Sequence, residues 1–222
     1  MENKYQVVAL IGKAGAGKDT IQTVTCNKHP LLFNKIISCT TRPMREGEAQ
    51  GVDYNFISLE DFTRRVLNSS MLEATEFKGW FYGTPEDTLV KDKINIGVFN
   101  PAGVEALLED SRLNVLTIDV QAPDKERLMR YLMREEHPDC AEMCRRYFTD
   151  EKDFSDLDFE YISIDNSNGA PLDLMNENLN LASSFEEMWS ALGTDTEFET
   201  IIRWESTMSI KAEPAKVEDN DN

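Results

Sequence analysis

Bases are scarce in this chain. Its 222 residues carry 23 Lys and Arg against 41 Asp and Glu, a formal net charge of −18 with histidine neutral. Such a field repels a polyphosphate backbone, so no nucleic-acid polymer is expected as a partner. Long apolar runs are missing as well. Nothing approaches the roughly 18 residues of a membrane span. The opening Met1-Glu2-Asn3-Lys4 lacks the basic start and apolar centre of a signal peptide. No membrane partner is expected, and the expected setting is cytoplasmic. Cysteines number four, irregularly spaced, which suits free thiols in a reducing compartment better than a disulfide framework. Histidines number two. His137, Cys140 and Cys144 offer three zinc ligands at most and no clear fourth, so no zinc site is expected. Internal repeats are absent. What remains is a chain with 41% hydrophobic and 29% charged residues. That suffices for a true core and suits one domain, or one domain with an attached lobe. A small anionic ligand stays possible wherever the few bases cluster, and their placement becomes the question.

Apolar runs separated by helical patterns set the organisation. Tyr5 to Ile11, Leu31 to Ser38, Tyr54 to Ile57, Ile94 to Asn100, Leu113 to Val120 and Phe159 to Ile164 read as strands. Lys18 to Lys28, Leu59 to Leu67, Pro101 to Glu109 and Pro123 to Arg134 read as helices, the last two opened by proline in the first turn. Strands alternating with helices predict an α/β domain with a mostly parallel sheet. Polar sequence around Thr40 to Gly51 reads as a long loop or small lobe. Ser167 to Ala182 is polar and rich in Asn, Phe185 to Leu192 is expected to be an amphipathic helix, and the sequence from Lys211 onward has the composition of a solvated tail.

Gly12-Lys13-Ala14-Gly15-Ala16-Gly17-Lys18 fits G-x-x-x-x-G-K and lies between an expected strand and an expected helix, where a phosphate loop must lie. Glycines let backbone N–H groups turn inward, the helix N-terminus adds positive potential, and Lys18 would reach the β- and γ-phosphates of ATP. The motif normally closes with Ser or Thr, whose hydroxyl binds Mg²⁺. Here Asp19 and then Thr20 follow. A carboxylate is a good ligand for a hard cation, so Asp19 and Thr20 are the expected metal residues. Asp19 is equally an acid in a first helical turn, where acids are favoured anyway.

A second basic cluster is Ser38-Cys39-Thr40-Thr41-Arg42-Pro43-Met44-Arg45-Glu46-Gly47-Glu48, followed by Gly51-Val52-Asp53-Tyr54-Asn55-Phe56. Two arginines three apart suit bidentate capture of a phosphate, or else they pair with Glu46 and Glu48 on the surface. The segment resembles the guanylate kinase family, whose pattern S-x-T-T-R-x-P-R-x-G-E-x-x-G-x-D-Y-x-F is nearly reproduced, with Pro43 and Met44 exchanged. Leu72-Glu73-Ala74 and Gly79-Trp80-Phe81-Tyr82-Gly83-Thr84 look like the family's L-E-W-A and G-x-Y-Y-G-T. The resemblance covers about residues 5 to 166. It implies a P-loop NTPase-type, three-layer α/β/α fold with a parallel sheet, a nucleoside-monophosphate lobe at about 38–93 and a lid at about 134–144. Residues 167–222 would then be an extension. It further implies that Arg42, Arg45, Tyr54 and Tyr82 hold the acceptor phosphate and that Ser38, Glu73 and Thr84 read guanine, with Gly83 and Asn100 beside them. The chemistry agrees. Guanine offers N1–H and the 2-amino group as adjacent donors to one carboxylate, and O6 to a hydroxyl.

Arg127, Arg130 and Arg134 recur at helical spacing, and Arg145-Arg146 follow. Phe159-Glu160-Tyr161 looks like the family's F-D-Y. Counting back from it without gaps assigns Arg145 and the lid arginine Arg134 to the transferring phosphoryl group, alongside Lys18 and Arg42. A solvated amphipathic helix is the other reading. With Lys13 and Lys18, these bases would form the walls of one phosphate cleft. The family's D-x-D-x-Q-G is replaced by Val98-Phe99-Asn100-Pro101-Ala102-Gly103, without either acid; Asp19 offers a compensating carboxylate. G-K-D also resembles ribose bisphosphate phosphokinase and phage deoxynucleoside monophosphate kinases. The expectation is ATP-dependent phosphorylation of GMP or dGMP with Mg²⁺ by a monomer or homodimer. Another deoxynucleotide, a phosphorylated sugar, or a non-catalytic binding module are the alternatives.

Overall fold

A computed structural model describes residues 4–45, 47–77, 79–134, 136–167, 174–175 and 188. The expected helix at 185–192 (apart from Met188), most of 167–182, and the tail lie outside the described residues.

The central element is β1 (Tyr5–Ile11), whose last six residues are all buried. A strand buried on both faces reads as a continuous apolar run, and this one is the middle of a five-stranded sheet. With β2 (Phe33–Lys35), β7 (Ile94–Val98), β8 (Leu113–Gln121) and β9 (Ile162–Asp165), the order is β2-β7-β1-β8-β9, parallel throughout. Alternate residues of β1 serve two cores. Val8 and Leu10 join Ile21, Ile96, Ile118 and Ile164 on one face, while Val7, Ala9 and Ile11 join Val104, Leu107 and Phe99 on the other. Helix α1 (Lys18–Lys28) supplies Ile21 to the first and α3 (Pro101–Glu109) supplies Val104 and Leu107 to the second. The result is the expected three-layer α/β/α arrangement. Buried Gln22 of α1 fastens this layer to the sheet edge, donating to the carbonyls of Ile36 and Ile96 at 3.0 and 2.8 Å. Met188 also packs into the first core.

A second, four-stranded sheet is inserted between β2 and β7. Its strands are β3 (Cys39–Thr40), β4 (Asn55–Phe56), β5 (Met71–Phe77) and β6 (Trp80–Pro85), in the order β4-β3-β6-β5. Helix α2 (Leu59–Leu67) packs on it through Phe62, and Ser58 caps its first turn by accepting from the Asp61 amide. A register shift between Met71 and Glu73 is the kind of irregularity that re-aims a side chain beside a site. Helices α4 (Asp124–Arg134) and α5 (Cys140–Asp153) follow β8.

Four expected strands are shorter than their apolar runs; Tyr54 to Ile57 keeps only Asn55–Phe56 and Ile94 to Asn100 only Ile94–Val98. Leu31 to Ser38 contributes only Phe33–Lys35, since β2 is an edge strand whose partner β7 begins opposite Phe33. Phe159 to Ile164 pairs only from Ile162; Phe159 lies against the second core. All four cysteines are free, with Cys140 and Cys144 exposed.

Candidate active site

The β1–α1 connection is a tight loop because two of its residues have no room for a side chain. Gly12 has φ of 138°, and a Cβ there would lie 2.3 Å from the Val120 carbonyl oxygen; at Gly15, φ is 80° and a Cβ would lie 2.7 Å from the Arg127 carbonyl oxygen. Both positions are therefore glycine by backbone and by space. Gly17 begins α1 without a side chain to cap it, which leaves the first-turn amides to an anion. Lys18 folds back over the loop, its Nζ donating to the carbonyls of Gly12 (2.6 Å) and Lys13 (3.2 Å). Burial lowers the pKa of this ammonium, opposed by the carboxylates of Asp19, Asp150 and Asp119. Asp19 and Thr20 are exposed on the first turn of α1.

The inserted sheet assembles the other expected group. Glu73 and Thr84 are cross-strand partners on β5 and β6. Thr84 Oγ1 donates to Glu73 Oε1 at 2.8 Å and lies 2.9 Å from Ser38 Oγ. Burial pushes the Glu73 carboxyl up, and hydrogen bonds from Thr84 pull against it. Gly83 faces the opposite way, where a Cβ would meet Met71 and the Glu73 carbonyl. Tyr82, two residues before Thr84 on the same face of β6, stands 6.0 Å from Tyr54, edge to face. The Arg42 guanidinium lies 5.6 Å from the ring centres of both Tyr54 and Phe56. Burial, with the Asp19 carboxylate nearby, pushes the Tyr54 phenol up to about 12. It therefore stays a proton donor at neutral pH, and the phosphate-loop helix is electrostatically within reach of this cluster.

Arg42 is only 8% exposed and is partly spent already. It makes a two-pronged pair with Glu48 at 2.9 and 2.8 Å and donates to the Pro43 carbonyl at 2.8 Å. Three of the five guanidinium N–H groups are used this way. Burial opposes charge on both partners, but the hydrogen bonds outweigh it, holding Glu48 below the usual carboxylate range and raising Arg42. The pairing with Glu48 is thus real but half-buried rather than a surface contact, and it holds Arg42 beside Tyr54 and Phe56. The Arg45 side chain is exposed, while its amide donates to Glu48 at 2.8 Å. The Asn100 side-chain oxygen has a structural partner. That atom caps α3 by accepting from the Gly103 amide at 2.7 Å. Gly103 nevertheless sits beside Glu73, whose Cγ would be 3.7 Å from a Cβ there.

The arginines after β8 divide. Arg134 is exposed and stacks near Tyr131. Arg145 is paired with Glu142 at 2.9 Å and lies 4.7 Å from the ring centre of Phe77, so α5 reaches the inserted sheet. Arg127 and Arg130 turn onto the backbone of the loop. Arg127, 3% exposed, donates to the Ala14 carbonyl and pairs with Asp124; Arg130 donates to the carbonyls of Gly15 and Ala16. Lys13 is engaged by Glu151. Helical spacing places these bases on one helix, but only packing shows which of them turn onto the loop's own backbone.

Sequence reasoning missed three groups. Asp150 accepts from the Ala14 amide at 2.6 Å, and Asn166 donates to the Ala16 carbonyl at 2.7 Å. Asp119, at the end of β8, is 8% exposed and accepts from Gln121 at 2.9 Å. With Lys13, Asp124, Arg127 and Tyr161 it lines a cavity of about 310 Å³ beside the loop. The available signal for Asp119 was a lone acid inside an apolar run. For Asp150 and Asn166 there was none, because each acts through a contact more than a hundred residues away.

A sequence model of the guanylate kinase family matches residues 4–179. The chain belongs to the guanylate kinase family. It is similar to the guanylate kinase of Clostridium perfringens (strain 13 / Type A), at 34% identity over 120 residues, 54% of this chain and 48% of that protein. It is also similar to that of Chlamydia trachomatis serovar D, at 38% over 123 residues, 54% of this chain and 59% of that protein. The chain spans about half the length of the curated relatives it matches. A crystal structure of guanylate kinase from Anaplasma phagocytophilum shares the fold, with a TM-score of 0.54 over 88% of each chain and 20% identity.

For this guanylate kinase family member, a cation can be tested against the donors present. Among the described residues no three His, Cys, Asp or Glu side chains converge as a metal cage. Mg²⁺ does not need one; it keeps several waters and takes one or two carboxylates plus nucleotide phosphates. Exposed Asp19 and Thr20 beside Lys18 fit that requirement. Among the described residues, no helix is long and apolar enough to cross a membrane.

Proposed function

We propose that the protein transfers the γ-phosphoryl group of ATP to GMP or dGMP. The observation that carries this reading is the connected Ser38–Thr84–Glu73 set on the inserted sheet, which also carries Arg42, Tyr54 and Tyr82, with Tyr54 within electrostatic reach of Asp19 at the end of the intact phosphate loop. A half-buried carboxylate with a hydroxyl beside it complements the N1–H, 2-amino and O6 edge of guanine. It penalises adenine, which has no adjacent donor pair.

The roles follow from position. Loop residues 12–20 offer amides to the ATP phosphates, and Lys18 exchanges two backbone carbonyls for phosphate oxygens, regaining a counter-charge for its buried ammonium. Arg42, held in place by Glu48, keeps its remaining N–H groups for the acceptor phosphate, with Arg45 and the phenols of Tyr54 and Tyr82. Arg134 and Arg145 supply positive charge to the phosphoryl group in flight, where little else is asked of a protein. Asp19 and Thr20 would hold Mg²⁺, which neutralises charge on the β- and γ-phosphates. Residues 38–93 act as the acceptor lobe and 134–144 as the lid, and their closure excludes water. The Arg145–Phe77 contact brings α5, immediately after the lid segment, to the end of this lobe's β5. Residues 167–222 are an extension to this unit.

A coupled assay across nucleoside monophosphates tests the reading. GMP and dGMP should turn over fastest. Faster turnover of dTMP, dCMP or a ribose phosphate would overturn the substrate, and ATP binding without any transfer would make the protein a binding module. Val98 and the capping role of Asn100 favour including these competitors, because no carboxylate on β7 supplements Glu73.

A further inference from the structure

Ala14 is held from both sides. Its amide donates to Asp150 of α5 at 2.6 Å, and its carbonyl accepts from Arg127 of α4 at 3.2 Å. The next carbonyls are held too, Gly15 and Ala16 by Arg130 at 3.2 and 3.3 Å and Ala16 again by Asn166 at 2.7 Å. Three consecutive loop carbonyls are therefore drawn to α4 and to the end of β9. A peptide is planar with its C=O and N–H opposed, so anchoring the Ala14 and Ala16 carbonyls on one side aims the Gly15 and Gly17 amides at the other, while the Ala16 amide turns back to the Lys13 carbonyl at 3.1 Å.

Arg127 is an expensive way to gain stability. Its side chain is 3% exposed, and its charge is matched by Asp124 at 2.7 Å, with Asp150 and Glu151 each at 3.7 Å. Its Nε is buried without a hydrogen-bond partner. Buried ion pairs seldom stabilise more than an apolar replacement would. What this one achieves is geometric, since the planar guanidinium bridges the loop to both helices that flank the lid segment.

We propose that Arg127 and Asp150 are positioning residues for ATP, which clamp Ala14 and set the amides of the phosphate loop before the nucleotide binds. This rests on the reading that the loop receives ATP phosphates. Preorganised donors bind without an ordering cost, so loosening the clamp weakens ATP and leaves the acceptor alone.

Calorimetry with Mg-ATP and, separately, with GMP on the full chain tests the clamp without requiring turnover. Arg127→Met and Asp150→Ala should each weaken ATP binding about tenfold, with GMP binding unchanged, and the double variant should be no worse than the weaker single one. Asp150→Asn, which can still accept the Ala14 amide, should bind ATP within about threefold of the wild type. GMP binding in each variant reports that the fold is intact. If Arg127→Met does not fold, Asp150→Ala alone decides. A lower melting temperature with unchanged ATP affinity would reduce the pair to a structural role, and tighter ATP binding in Asp150→Ala would make Asp150 a competitor of phosphate; either overturns the proposal. A wild-type protein that binds no ATP overturns the reading of the loop, and the clamp with it.

Discussion

At the scale of single residues, burial shifts the protonation of the candidate groups, and at Glu73 it acts against the proposed task. On the proposed reading Glu73 must be ionised to accept two guanine donors, yet burial raises its pKa. The consequence has a sign. The GMP KM should begin to rise, as pH is lowered, at a higher pH than an ordinary carboxylate would give. The stability linkage runs the other way. A raised folded pKa favours the folded state at low pH, and that advantage is lost as pH rises through it. Glu73→Gln should therefore cost about a hundredfold or more in GMP kcat/KM while leaving the neutral-pH melting temperature equal or higher, and it should remove the acid inflection. Steady-state kinetics against pH and thermal melts check both halves. Asp19 makes a simpler case. Asp19→Ser should raise the Mg²⁺ concentration needed for half-maximal turnover, because a hydroxyl replaces a charged ligand. Equal or better turnover at low Mg²⁺ would end the metal assignment.

At the scale of elements, the ends of helices and strands carry the site, and their chemistry was unevenly legible. β1, α1, α2 and α3 run over the residues expected of them, α2 and α3 with side-chain caps at Ser58 and Asn100 and α1 from the glycine turn that ends at Gly17. The β5–β6 hairpin was not legible as strands, because its register shift and half-solvated faces break the alternation a strand should show. Helix α5 escaped as a defined range for a related reason: none of its residues is buried, so no apolar stripe marks it. Two substitutions test elements. Gly12→Ala places a methyl 2.3 Å from the Val120 carbonyl at a φ of 138°, so β1 and β8 must part; loss of ATP binding and a melting temperature lower by several degrees are expected, read by calorimetry and circular dichroism. Asn100→Ala removes the cap of α3 and should cost about 1 kcal/mol. If its GMP KM also rises, Asn100 reads the base as well as capping the helix.

At the scale of the whole molecule, a charge of −18 is compatible with the proposed phosphate site because the bases are positioned against specific acids. Arg42 faces Glu48, Arg145 faces Glu142, and Arg127 sits among Asp124, Asp150 and Glu151. Screening confines these local fields to about 8–10 Å, which suits the proposed mononucleotide better than a polymer. Duplex DNA or RNA should therefore show no retardation with this protein in a gel at about 50 mM salt, and clear binding there would contradict the electrostatic picture.

Sequence alone determined the parts that depend on contiguous residues. The phosphate loop is a strand, a glycine turn and a helix in succession, and the Arg42–Tyr54 segment carries its own spacing. Tertiary structure decided the partnerships between distant residues. It alone made Arg127 and Arg130 braces of the loop, turned Asn100 into a cap, buried Arg42 against Glu48, and brought Asp150 to the Ala14 amide. The physical reason is range. Dihedral preference, capping and periodicity act within a few residues of one another, whereas burial and hydrogen bonding are settled only when β1, α4 and α5 have packed together and each polar group has had to find its partner.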